Sequence, residues 1–114
     1  MATISLQIGA DNQAHSSLIK WETLTATDVG EARVNTYYND RTVSVTGTFG
    51  GTVSIQGSND GTNWFTLTDN SGLALEFTAA GMKLIAEAPL YIRPSAGSGV
   101  SDVDVIILET GEKD

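Results

Sequence analysis

The chain has 114 residues, 14 acidic side chains against 6 basic ones, a net charge of −8 and no cysteine. That length suits one core of ordinary domain size, and 40% hydrophobic residues is too many for a disordered chain. The acidic balance repels a phosphate backbone, so nucleic acid is not an expected partner, and a cysteine-free chain has neither disulfides nor thiolate zinc sites.

The opening MATISLQIGADNQ lacks the cationic segment and apolar run of a signal peptide, and no apolar stretch is long enough to cross a bilayer. No membrane partner is expected. Ile4, Leu6 and Ile8 alternate on one face of a first strand, and the turn formers of GADNQAHSS end it. Ile19, Trp21 and Thr23 share a face of a second strand, with Lys20 and Glu22 opposite, until Gly30 breaks the pattern. VNTYYNDR reads either as a strand ending in an Asn39–Asp40 turn or as an extended segment. Val43 and Val45 then align, Gly50–Gly51 forms a tight connection, and Val53 and Ile55 continue the alternation.

The polar knot GSNDGTNW follows, and NWFTLTD reads as a strand with Phe65 and Leu67 on one face and Trp64 on the other. DNSG marks another turn. Leu73, Leu75 and Phe77 share a parity, as do Met82, Leu84 and Ala86, although a short helix competes in this last window. PLYIRP is a short strand bracketed by Pro89 and Pro94. Proline lacks a ladder donor, so both are expected at strand ends or at a sheet edge. SAGSG is a flexible turn. Val103, Val105 and Ile107 align in the last strand, and residues 111–114 form a polar, fraying tail. About eight to ten short strands at regular spacing predict an all-β fold, an antiparallel β-sandwich or jelly roll, in one domain spanning 1–114.

Catalytic chemistry finds little footing. His15, the only histidine, lies in a loop, and a nucleophile–histidine–acid device needs that histidine held between its two partners. Nothing selects a facing pair of carboxylates, and Gly50–Gly51 precedes no helix that would cradle a phosphate. No enzyme activity and no cofactor are expected. Asp102 and Asp104 project from one face of the last strand. They are either a two-carboxylate cation site or a solvent-facing pair that discourages edge pairing. Asn59, Asp60 and Asn63 at the knot, with Trp64 beside them, suit either a sugar-stacking site or a hairpin that Trp64 simply caps. Tyr37 and Tyr38 face opposite ways in a strand, which suits an interface. Phe49 is a further contact candidate.

VSIQGSNDGTNWFTL, followed by PLYIRP and VDVIIL, resembles a recurring β-sandwich pattern over Thr42 to Leu108. Similar hairpins occur in discoidin-like carbohydrate-binding modules and in small virion proteins of tailed bacteriophages. The chain reads as a free-standing, acidic, cysteine-free domain without a leader, and so looks most like a capsid decoration (cement) protein. That resemblance implies a homotrimer on the virion's capsid surface, made in the host cytoplasm, with the major capsid protein as partner. Met1 to about Ala14 is then the expected docking segment. A tail or baseplate component is the neighbouring alternative, and a carbohydrate-binding module is the rival.

Overall fold

The computed structural model describes residues 2–8, 16–34 and 40–110. In chain order the strands are β1 (Thr3–Ile4), β2 (Gln7–Ile8), β3 (Ser16–Leu24), β4 (Val29–Gly30), β5 (Arg33–Val34), β6 (Asp40–Thr48), β7 (Val53–Ser58), β8 (Phe65–Thr66), β9 (Glu76–Phe77), β10 (Gly81–Ile85), β11 (Tyr91–Ala96) and β12 (Asp102–Thr110). No helix occurs among the described residues, so the window around Met82 is a strand. The all-β expectation holds. A five-stranded sheet runs β10-β6-β12-β3-β2. The facing seven-stranded sheet runs β1-β4-β11-β7-β8, with β5 added beside β11 and β9 beside β7.

Alternation places the core correctly. Ile19, Trp21, Val43, Val45, Val53, Ile55, Val103, Val105 and Ile107 are fully buried between the sheets. Trp21 also satisfies its polar atom, Nε1 donating to the Glu31 carbonyl at 2.9 Å.

Several local expectations change. The first strand is split: β1 pairs in parallel with β4 in one sheet, and β2 pairs with β3 in the other. Within the segment expected to dock, Met1 to about Ala14, residues 2–8 thus touch both sheets, and residues 9–14 lie outside the described residues. Thr23 does not share the face of Trp21. Trp21 pairs with Val105 and Leu24 with Val103, so three steps along β3 oppose two along β12. This bulge puts Thr23 at φ 61 and turns Leu24 into the core in its place. Asp104 Oδ1 accepts the Thr23 N–H at 2.8 Å, which satisfies the donor that the bulge strands.

Gly50–Gly51 is a tight connection, as expected, but between sheets. It carries the chain from β6 in one sheet to β7 in the other, and a Cβ on Gly51 would lie 2.2 Å from the Ser98 carbonyl oxygen.

Pro94 is neither at a strand end nor at an edge. It sits within β11, which is flanked by β7 on one side and by β4 and β5 on the other. Ala96 N–H donates to the Asp28 carbonyl on the β4 side at 2.8 Å. Strand N–H directions repeat every second residue, so the Pro94 nitrogen faces that same side. There it meets the break between β5 and β4, where no ladder bond is lost. The proline ring also explains Gly30, whose Cβ would lie 2.5 Å from Pro94 Cδ and 2.7 Å from Trp21 Cδ1.

Candidate functional site

The knot is a hairpin loop between β7 and β8, which pair at Gly57 with Phe65 and Gln56 with Thr66. Its polar side chains mostly bond to the loop itself. Asp60 Oδ1 accepts from Ser58 Oγ (2.9 Å) and from the N–H groups of Thr62 and Asn63 (2.8 Å each), while Oδ2 accepts from Asn63 Nδ2 at 2.7 Å. Those donors, led by the Asn63 and Thr62 amides, hold the Asp60 carboxyl far below the ordinary carboxylate range. Ser58 Oγ accepts in turn from the N–H of Gly61, which takes the left-handed backbone at φ 77. Asn59 Oδ1 accepts from Leu90 N–H at 3.0 Å and so ties the loop to the entry of β11.

A groove of about 570 Å³ lies beside this loop, with Phe65, Leu67 and Pro89 as apolar walls and Asn59, Asn63 and Glu87 as polar margin. Gly57 forms part of its lining, and a Cβ there would strike Pro89 Cγ at 2.6 Å and Leu67 Cδ2 at 2.7 Å. Glu87 accepts from both the N–H and the hydroxyl of Thr68. Burial pushes the Glu87 carboxyl up, but these bonds outweigh it and the net shift is downward.

The structure brings Asn59, Asp60 and Asn63 together, but Trp64 does not join them in the groove. The Arg93 guanidinium lies 4.0 Å from the Trp64 ring centroid and donates through Nε to Gln56 Oε1 at 3.0 Å. One ring face is thereby occupied. The aromatic open to the groove is Phe65, 69% exposed, on the other face of the strand. Parity alone groups it with buried Leu67. The signal that could have found it is Gly57, paired opposite, which offers Phe65 no side chain to pack on.

Asp102 and Asp104 do share a face, but β12 is the central strand of its sheet, so they do not protect an edge. Among the described residues no three acidic or histidine side chains gather as metal ligands. Phe49 packs partly buried against the core. Tyr37, Tyr38 and His15 lie outside the described residues.

A second feature is the outer face of the five-stranded sheet. Leu84, Thr42, Leu108 and Leu18 form one row across β10, β6, β12 and β3, and Met82, Ser44, Ile106 and Lys20 form the next. Met82 (69% exposed), Leu84 (40%) and Leu108 (37%) stand open to solvent, with Leu18 and Ile106 half-buried between polar neighbours. Met82 and Leu84 share a parity as expected, but it is the outward one. Lys83 takes the inward parity at the rim, 5.7 Å from the Phe77 ring centroid and 3.8 Å from Asp69 Oδ2.

No protein-family model matches the chain, and no curated protein matches it. Solved structures do. The SPBc2 prophage-derived protein YomS superposes with a TM-score of 0.66 at 12% identity, over 88% of this chain and 98% of that one. An RmlC-like cupin protein from Desulfovibrio desulfuricans gives 0.55 at 8% identity over 95% and 82%. A cupin domain from Bordetella pertussis gives 0.53 at 12% over 93% and 92%. At such identities these likenesses show the fold alone, a two-sheet β-sandwich, and carry no function with them.

Proposed function

We propose that this chain is a structural virion protein of a tailed phage, a capsid decoration protein that docks on the outer lattice of the major capsid protein as a homotrimer. The observation that carries the reading is the apolar outer face of the five-stranded sheet, where Met82, Leu84 and Leu108 stand exposed in adjoining rows. The prophage origin of a fold neighbour matched over nearly its whole length supports the phage assignment. Burying what remains exposed of each of these three side chains is worth about 1 kcal/mol. One copy therefore binds weakly, and a trimer engaging the lattice at three points gains its retention from effective concentration. Bound only to the assembled head, such a trimer stabilises the head by mass action, and the role needs no catalytic step and no cofactor.

The test is to mix purified protein with undecorated heads and sediment them. Binding by the wild type and its loss in the Leu84→Glu, Leu108→Glu double variant, with an unchanged melting temperature, is the expected result. Heads that take up neither protein, or both equally, would refute the reading. Binding to tails instead would move the protein to the baseplate or tail.

The groove supports a second reading, a carbohydrate-binding module in which exposed Phe65 is the stacking platform and Asn59 and Asn63 are the polar margin. Sugar titration followed through the neighbouring Trp64 fluorescence tests it. A saturable change that Phe65→Ala removes favours this reading, and a flat response across a glycan panel retires it.

A further inference from the structure

The inward rows of the five-stranded sheet are mostly apolar, as in Ile19, Ile107 and Val43, but the row at one end is not. There Ser17, Glu109, Arg41 and Ile85 align across β3, β12, β6 and β10. Arg33 reaches in from β5 of the facing sheet. Glu109 Oε1 accepts from Arg33 Nε (3.2 Å) and Nη2 (2.9 Å), and Oε2 accepts from Arg41 Nε at 3.1 Å. The side chains of Glu109 and Arg41 are each 1% exposed and that of Arg33 is 18% exposed.

Among the described residues one carboxylate thus answers two guanidinium groups, an excess of one positive charge in this cluster. Arg41 Nη1 and Nη2 are buried and have no hydrogen-bond partner among the described residues. Buried charged groups are ordinarily paired and their donors satisfied, because leaving them bare is among the costlier things a fold can do. A chain with only 6 basic residues has placed two of them here. The unused Nη1–Nη2 edge is a planar fork whose parallel N–H groups match two oxygens on one centre. Glu109 holds the Nε side, and so fixes the plane in which that fork lies.

We infer that this end of the interior is a binding site for a small oxyanion, a phosphate, sulfate or carboxylate group gripped by Arg41 through Nη1 and Nη2. Glu109 is the positioning residue, and Arg33, 18% exposed, holds the other oxygen of that carboxylate and adds a second positive charge. The site is independent of the apolar outer face and of the groove, so its test does not depend on either proposed role.

Thermal unfolding is followed at fixed ionic strength with chloride replaced stepwise by inorganic phosphate, sulfate or acetate. A saturable rise in melting temperature is expected, on the order of 10 °C when the anion stands at a hundredfold its dissociation constant. The phosphate and sulfate arms against the acetate arm identify the oxyanion class. Arg41→Lys keeps the charge but loses the fork, and is expected to abolish the saturable rise; Arg33→Gln should weaken it. No arm exceeding chloride, or a full rise retained in Arg41→Lys, overturns the inference. If Arg41→Lys does not fold, a high-resolution crystal structure of the wild type soaked in phosphate decides. An oxyanion on Nη1 and Nη2 supports the site, and water alone there overturns it.

Discussion

Carboxylates do local work in this chain that net charge does not reveal. Asp60 gathers the knot, Asp69 accepts the Ser71 and Leu73 amides of the DNSG turn, and Asp28 accepts the Thr25 amide and hydroxyl and the Ala2 amide. In each, donated backbone hydrogen bonds lead the causes that lower the pKa. A folded pKa below the unfolded one stabilises the fold fully above the unfolded value, about 4 for Asp, and that stability drains away as pH falls through the folded value. Asp60→Asn is therefore expected to lower the urea midpoint at pH 7 and to shrink the loss seen between pH 5 and pH 2. Equal pH slopes in variant and wild type would show that Asp60 is not the clasp. Trp21 makes the opposite case, a fully buried ring with its single donor used. Trp21→Phe should cost about 1–3 kcal/mol in denaturant unfolding, from lost volume and an orphaned Glu31 carbonyl.

At the scale of elements, alternation is legible wherever a strand has one dry face, as in Val43/Val45 and Val103/Val105/Ile107. It cannot say which sheet a strand joins, and so Gly50–Gly51 reads as a tight connection without showing that it crosses from one sheet to the other. Nor can it see features made by a neighbour. The bulge at Thr23 is visible only against β12, Pro94 is harmless only beside the gap between β5 and β4, and Phe65 is open only because Gly57 faces it. The knot is legible as a turn, since its residue types carry their own geometry, while the groove beside it is assembled from two separated segments, the hairpin 57–67 and residues 87–89. Arg41 and Glu109 are 68 residues apart, so neither announces the other. Backbone geometry gives a graded test. A Cβ on Gly72 (φ 84) would have nothing within 4 Å, whereas one on Gly47 (φ 128) would meet the Asp102 carbonyl oxygen at 2.2 Å. Gly72→Ala should cost about 1–2 kcal/mol of left-handed strain alone. Gly47→Ala adds a backbone collision between β6 and β12 and should cost clearly more, at least about 3 kcal/mol by the scale of overpacked sites. Thr23→Asn, which eases a β-branched residue at φ 61, should raise stability by about 0.5–1 kcal/mol.

For the whole molecule, the decisive fact is that the last strand is central. β12 lies between β6 and β3, contributes Val103, Val105 and Ile107 to the core, and supplies Glu109 to Arg33 and Arg41. Its partner β3 begins at Ser16, so the five-stranded sheet closes only when segments about ninety residues apart along the chain meet. Until then β3 and β6 each show an unpaired edge and an apolar face. Such non-local pairing pays its loop-closure entropy before it gains contacts, which places refolding in the millisecond-to-second range rather than the microsecond range of local folds. On the proposed decoration role the C-terminal strand would also be indispensable to docking, because Ile106 and Leu108 lie at the centre of the outer apolar face. A chain ending at Gly99 should therefore lose near-UV circular dichroism and cooperative unfolding together, and should not bind heads. Removing only residues 111–114 should leave both intact. A truncated chain that kept a cooperative transition would mean that the seven-stranded sheet folds without its partner, and that β12 is an addition to the sandwich rather than its keystone.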